Sequence, residues 1–354
     1  MSVPTIAGIT AQTIYTDRLA TRVLLSGPDD GIPVLFLHGN LSSATWWEET
    51  MVALPSGHRG IAPDQRGYGD ADPAAKVHAV HGMGEFVDDA IALMDHLGHD
   101  RFHVVGSSLG GVVVWWLLAR HAERLLTVTQ ADPGSPYGFG GTKDAAGTPT
   151  TDDFAGSGAG LVSPQLVAQL ELGDTTADTM FSPRSALRSL VWKPPFIPAR
   201  EDEYVASLLQ VHLGESAYPG DLAISEHWPF VSAGKWGANN ALSPKYAIDV
   251  DEIINATPKP PVLWVRGDSD LAVSNNAASD PGTWGPMGLV PGYPGAEAYP
   301  PQPMLDQIRA VLDGYVAAGG IYEEVVIDDC GHVPYIEKPD EFNLVFHARL
   351  TGES

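Results

Sequence analysis

The period of apolar and polar positions changes along the chain in a regular way. Two short alternating runs stand near residues 13–15 and 22–26, followed by the turn Gly27-Pro28-Asp29-Asp30-Gly31. Val34-Leu35-Phe36-Leu37 is continuously apolar, which predicts a strand buried on both faces of a parallel sheet. It runs into His38-Gly39-Asn40. A helix starting near Ser43 or Ala44 would then carry Trp46, Trp47, Met51 and Leu54. A short strand around residues 60–62 leads into the turn-rich Pro63-Asp64-Gln65-Arg66-Gly67-Tyr68-Gly69. Phe86, Val87, Ala90, Ile91, Met94 and Leu97 recur at helical spacing, and Gly98 closes that helix. A strand over 102–105, a helix reaching His121 and a strand over 125–129 that ends at Gln130-Ala131-Asp132-Pro133 complete the first half. Strand alternating with helix means a parallel, doubly wound α/β sheet.

From about residue 134 the pattern is different. Residues 134–160 are rich in Gly, Thr, Asp and Ser and read as a long loop. Ser163-Pro164 and Ser182-Pro183 each pair an N-cap with a first-turn proline, so each predicts a helix start. Tyr204, Val205, Leu208, Leu209 and His212 share a helical face. Residues 134–258 are therefore expected to be an inserted, mainly helical lid, with 1–133 and 259–354 forming the core domain. The sheet pattern resumes at 261–265 and leads into Arg266-Gly267-Asp268-Ser269-Asp270. Residues 275–303 are dense in Gly and Pro, and a loop that long in a compact domain is usually functional or disordered. Met304, Leu305, Ile308, Val311, Leu312 and Tyr315 mark a helix. A strand over 322–327 ends in Asp328-Asp329-Cys330-Gly331-His332, and a helix over 340–350 closes the chain.

Composition narrows the partners. The formal net charge of −24 disfavours nucleic acid, whose binding needs clustered Lys and Arg. Solubility or tolerance of salt explains it better than an acidic recognition surface. The single cysteine, Cys330, excludes an intrachain disulfide and a thiolate metal cluster. Residues 1–12 lack the basic and apolar regions of a signal peptide, and no apolar run approaches a membrane span. A cytoplasmic protein with no membrane partner is the expectation.

The stretch Val104-Val105-Gly106-Ser107-Ser108-Leu109-Gly110-Gly111 holds the candidate chemistry. Gly-x-Ser-x-Gly between a strand and a helix is a nucleophile elbow, in which close backbone approach thrusts the serine hydroxyl out of the turn. A serine hydroxyl is a poor nucleophile and needs a base within hydrogen-bond reach. The glycines do not form a phosphate loop, because the Gly-Lys-Ser/Thr ending and the Gly-x-Gly-x-x-Gly spacing are both absent. No metal and no cofactor is expected. Trp115, Trp116 and Trp264 read as core. Trp192, Trp228, Trp236 and Trp284 fall in the lid or the long loop and are candidates to line an apolar pocket.

Taken in order, each at the end of a predicted strand, the motifs resemble the α/β-hydrolase superfamily. His38-Gly39 follows the third strand, Asp64-x-Arg66-Gly67-x-Gly69 the fourth and the elbow the fifth. Gly267-x-x-Asp270 follows the seventh, and Gly331-His332 with Glu337 and Pro339 follows the eighth. The resemblance covers most of the chain outside the lid and the loop after Asp270. It implies Ser108 as nucleophile, His332 as general base and Asp270 as the acid that orients the histidine. Asp132 is the alternative acid, because the family sometimes places it after the sixth strand. Asp268 is a near neighbour of Asp270, and Asp328 and Asp329 read as solvated loop carboxylates. The resemblance puts the oxyanion-hole N–H groups on Leu109 and Asn40 and makes His38 a structural anchor. The Asn40 side chain is also expected within reach of a substrate oxygen, as a similar His-Gly-Asn holds halide in haloalkane dehalogenases. Those enzymes and the epoxide hydrolases carry aspartate at the elbow, where this chain has Ser108. The implied activity is hydrolysis of a carboxylic ester or lactone with a largely apolar acyl or alcohol part. The same residues would also serve a carbon–carbon hydrolase, an amidase or a cofactor-free perhydrolase. A ligand receptor of this fold is the non-enzymatic alternative.

Overall fold

The computed structural model describes residues 3–352. Eight strands form the main sheet: β1 (Thr10–Tyr15), β2 (Ala20–Ser26), β3 (Ile32–Leu37), β4 (His58–Pro63), β5 (Phe102–Ser108), β6 (Leu125–Pro133), β7 (Val262–Gly267) and β8 (Tyr322–Ile327). Their order is β1-β2-β4-β3-β5-β6-β7-β8. β2 pairs antiparallel with β1 and β4, and all other neighbours run parallel. The continuously apolar Val34 to Leu37 lies inside the sheet between β4 and β5, buried on both faces. β5 and β6 run further than their apolar stretches suggest. Pairing continues through Ser107 opposite Ala131, with an irregularity between Ser107 and Ser108. Parallel ladder bonds thus carry polar residues to the end of the sheet where the candidate chemistry gathers.

The longest helices among the described residues flank the strands: α1 (Gly84–His96), α2 (Leu109–Arg120), α3 (Met304–Ala317) and α4 (Pro339–Thr351). α2 is buried from Leu109 through Leu118, as an all-round apolar helix must be. It packs on β5, β6, α1 and the short helix Val250–Ile254. Trp115, Trp116 and Trp264 are core residues, as expected.

The segment between β6 and β7 adds no strand to the main sheet. It contains short helices, among them Pro164–Glu171, Pro183–Ala186, Glu201–Leu208 and Ala238–Ala241, and two small two-stranded sheets. Ser163 and Ser182 cap their helices by accepting from Leu166 and Ser185 N–H. The segment shares its core with the sheet. Trp46, after β3, stacks on Trp192 at 5.5 Å and tilts against Tyr204 at 5.2 Å, and its indole N–H donates to Ser207 Oγ at 2.8 Å.

The turn after β4 is fixed by charge. The Arg22 guanidinium binds the fully buried Asp64 carboxylate through two bonds of 2.9 and 3.1 Å. Asp64 also accepts from the N–H groups of Ala44 and Asp70. Among the described residues, no helix is long and apolar enough to cross a membrane.

Candidate active site

β5 ends at Ser108, whose φ of 54° and ψ of −117° lie outside the regions open to most side chains. The neighbouring backbone holds that strain. A Cβ at Gly110 would overlap the Leu37 carbonyl, so only glycine lets α2 start this close to β3. Across the turn, a Cβ at Gly39 would stand 3.1 Å from the Ser108 Cβ. The loop after β3 therefore lies directly against the serine.

His332 follows β8. Its backbone N–H donates to the Val191 carbonyl at 2.8 Å, which ties it to the segment between β6 and β7. The Glu337 carboxylate accepts from Gly331 N–H at 3.1 Å and Lys193 N–H at 2.9 Å, holding the same turn from behind. His332 Nδ1 lies 2.8 Å from Asp270 Oδ2, in a pair that is almost wholly buried. A carboxylate only accepts, so Nδ1 carries the proton and Nε2 is left for the other side of the ring. The second Asp270 oxygen accepts from Ala272 N–H at 2.7 Å and Val273 N–H at 3.0 Å. Asp270 is thus oriented by its own turn before it meets the histidine.

Asp132, the other candidate acid, does not take that place. It sits at the end of β6 with φ of 43°, and both its oxygens lie 3.2 Å from Gly267 N–H. Burial, and then the Asp270 charge, push its carboxyl well above the usual carboxylate range. Asp268 is exposed and accepts from Ser269 Oγ and Cys330 N–H. Asp328 and Asp329 are exposed, and Asp329 pairs with Lys193 at 2.5 Å.

Leu109 is the first residue of α2, and an N–H at that position has no acceptor within its helix. The Asn40 backbone follows Gly39 on the facing loop. Its side chain is engaged by the protein at both ends, though among the described residues only one of its two Nδ2 N–H groups is bonded. Oδ1 accepts from Tyr68 OH at 2.7 Å and Leu41 N–H at 3.0 Å, and Nδ2 donates to Asn239 Oδ1 at 2.9 Å. His38 is buried beneath. Its Nε2 accepts from Gln65 N–H at 2.9 Å, so Nδ1 donates to the Gly39 carbonyl at 2.8 Å. Burial lowers its pKa to about 4, consistent with a neutral anchoring ring.

Ser108, Leu109, Asn40 and His332 all line one cavity of about 440 Å³. Among the described residues, no Asp, Glu, Lys or Arg contributes to its wall. Leu161, Leu166, Leu187 and Leu208 come from the segment between β6 and β7, and Ala272, Val273 and Trp284 from the loop after β7. Of the four tryptophans singled out for a pocket, Trp284 lines it and the other three do not. Trp192 is 1% exposed in the stack on Trp46. Trp228 packs against Tyr293 and Tyr299, and Trp236 is half exposed beside His78. Aromatic side chains in a segment without a separate core pack where the nearest apolar surface is, and for Trp192 that surface is the sheet layer. The cavity also uses Trp46, Asn239 and Tyr335, which sequence reasoning did not select. Tyr335 stands three residues beyond His332, a proximity that would have marked it. Nothing local to Asn239 marks it. Two clusters of histidine with carboxylates, His78, His81 and Glu85, and Asp152, Asp153 and His227, lie outside the cavity wall.

The comparisons agree with this geometry at the level of the fold. Epoxide hydrolase 2 of Siraitia grosvenorii is 34% identical over 116 residues, which cover 32% of this chain and 35% of the relative. The matched stretch thus spans about a third of the length of that protein, and the same holds for epoxide hydrolase A of Mycobacterium tuberculosis. The carboxylesterase CesB of Bacillus subtilis superposes with a TM-score of 0.60 at 16% identity, over 97% of this chain and 92% of that one. The 2-hydroxy-6-oxo-6-phenylhexa-2,4-dienoate hydrolase of a Rhodococcus strain gives 0.60 at 19% identity, over 97% and 99%. Residues 32–291 match the family model for the alpha/beta hydrolase fold, and the chain belongs to that family.

Proposed function

We propose that this protein is a serine hydrolase that cleaves a carboxylic ester or lactone with a largely apolar acyl or alcohol part. One observation carries the reading. A serine on a strained strand-to-helix turn opens on the same uncharged cavity as a histidine whose Nδ1 is held 2.8 Å from a buried carboxylate. In this reading His332 Nε2 takes the Ser108 proton as Oγ attacks the substrate carbonyl. Asp270 holds the ring in that tautomer and stabilises the imidazolium. The Leu109 and Asn40 N–H groups receive the oxyanion of the tetrahedral intermediate. The alcohol leaves with the proton from His332, and water activated by the same nitrogen releases the acid from Ser108. Residues 134–258 act as a cap that supplies most of the apolar wall over a core of 1–133 and 259–354. A wall without charged side chains suits a neutral, largely apolar substrate. An epoxide-opening carboxylate nucleophile has no counterpart at the elbow, where Ser108 stands.

The test is labelling with a fluorophosphonate probe, location of the adduct by mass spectrometry, and assay of Ser108→Ala on p-nitrophenyl esters. The adduct is expected on Ser108, with hydrolysis reduced at least on the order of 1000-fold in the variant. Unchanged hydrolysis by Ser108→Ala would overturn the reading. A panel of lactones, amides, vinylogous 1,5-diketones and acetate with peroxide sorts the bond types that the same residues would cleave.

A further inference from the structure

We propose that Asp132 is a positioning residue for the Asp270–His332 pair: it stands beside Asp270 as a neutral carboxylic acid and donates its proton in a hydrogen bond to the Asp270 carboxylate. The inference rests on the serine-hydrolase reading above, because only there does the orientation of Asp270 bear on turnover.

Two buried carboxyl groups are brought together beside one imidazole. An Asp132 oxygen, an Asp270 oxygen and a His332 ring nitrogen lie within 4.8 Å of one another, and all three residues are buried. Like charges that close in a low-dielectric interior do not both persist, and one group keeps a proton. The donors on each side decide which. Asp270 receives two backbone N–H groups and the imidazole N–H. Asp132 receives a single N–H, that of Gly267, shared at 3.2 Å between its two oxygens. A buried carboxylate so poorly supplied is costly to ionise, whereas the acid form adds a donor that Asp270 is able to accept. Among the described residues the cation that acts on Asp132 is Arg266, its influence smaller than that of burial and the Asp270 charge, and it is already paired with Glu324 at 2.7 Å. The other titratable groups that face the cluster are Cys330, Tyr335 and Glu337, none of them cationic. The upward displacement of the Asp132 pKa agrees with the donor count.

The left-handed backbone at Asp132, φ 43°, is a further sign that this side chain is held in place by its surroundings. The consequence is chemical. One negative charge, not two, faces His332, and a second would favour the imidazolium over the neutral ring that a general base needs. A proton donated by Asp132 also gives the Asp270 carboxylate one more bond that fixes it beside the histidine.

The experiment compares Asp132→Asn and Asp132→Val with the wild type by pH profiles of kcat/KM and kcat on a p-nitrophenyl ester, with Ser108→Ala assayed in parallel. Asn keeps a neutral donor of the same shape. The expected result is an acid limb at the wild-type pH and kcat within about threefold for Asp132→Asn, against a fall in kcat of about 10- to 100-fold with little change in KM for Asp132→Val. Isotope-edited infrared difference spectra of the wild type and Asp132→Asn give a second readout that does not depend on the Val variant folding. A protonated-carboxyl band at neutral pH is expected, absent from Asp132→Asn. The proposal is overturned if Asp132→Asn moves the acid limb to lower pH, since that reports the loss of a true negative charge, or if the wild type lacks the band. If Ser108→Ala retains hydrolysis, the serine-hydrolase reading fails instead, whatever the Asp132 variants do.

Discussion

Asn239 Oδ1 accepts a hydrogen bond of 2.9 Å from Asn40 Nδ2, joining the short helix Ala238–Ala241 to the loop that follows β3. The loop packs on Ser108 through Gly39, so the bond couples the cavity roof to one side of the proposed oxyanion hole. Asn40 is held from below by Tyr68 OH, and Asn239 supplies the hold from above.

Removing the upper hold should loosen the loop without unfolding it. Asn239→Ala is expected to lower kcat/KM by about 5- to 10-fold, in keeping with one hydrogen bond at a positioning site. Steady-state kinetics with circular dichroism as a fold control measure it. A change below twofold would mean that the bond is incidental to turnover.

The acid that orients His332 is the subject of a second test. Asp270→Asn should cut kcat on the order of 1000- to 10,000-fold, because an amide that donates to Nδ1 enforces the wrong tautomer. Activity near that of the wild type would mean that Asp132 takes the role after all.

Cavity shape predicts chain-length selectivity. Leu166, on helix Pro164–Glu171, reaches the cavity wall and is only partly buried, so a larger side chain has room to enter. Leu166→Trp should lower kcat/KM for long-chain p-nitrophenyl esters by about 10-fold relative to the acetate, as expected if about two methylenes lose their burial. An unaltered chain-length profile would place the acyl group elsewhere.

Acid stability follows from His103 in β5. Burial, then the charges of His58 and Arg101, lower its pKa to about 4, while the unfolded chain returns it to about 6.5. Between those values the folded state binds fewer protons, so the stabilisation is complete above pH 6.5 and is lost as pH falls through 4. At pH 5 the loss amounts to about 2 kcal/mol. Urea unfolding at pH 7 and pH 5 should therefore show a drop about 2 kcal/mol larger for the wild type than for His103→Gln. Equal drops would show that the ring is protonated without cost.

Local signals carried much of the architecture. The apolar run at Val34 to Leu37, the serine-proline helix starts at 163 and 182 and the helical spacing from Phe86 to Met94 all appear as expected, because each reflects burial periodicity or a cap contained within a few residues. The strands β5 and β6 outrun their apolar stretches because ladder pairing with a neighbouring strand, not local composition, ends them. Arg22 is likewise invisible as the partner of Asp64. An arginine in a β run looks like an exposed edge residue until the turn 42 positions later folds over it.

The sequence by itself determined the family of fold and the order in which serine, acid and histidine follow the strands, since strand-end motifs are short and a parallel sheet brings its strand ends to one edge. Only the tertiary structure decided that Asp270 and not Asp132 meets His332, that the Asn40 amide bonds to Tyr68 and Asn239, and that Trp284 rather than Trp192 faces the cavity. Those choices depend on loop paths and rotamers across 62 residues for Asp270 and His332 and 199 for Asn40 and Asn239. Hydrogen-bond geometry at a few tenths of an ångström selects among chemically equivalent side chains, and no local pattern encodes it.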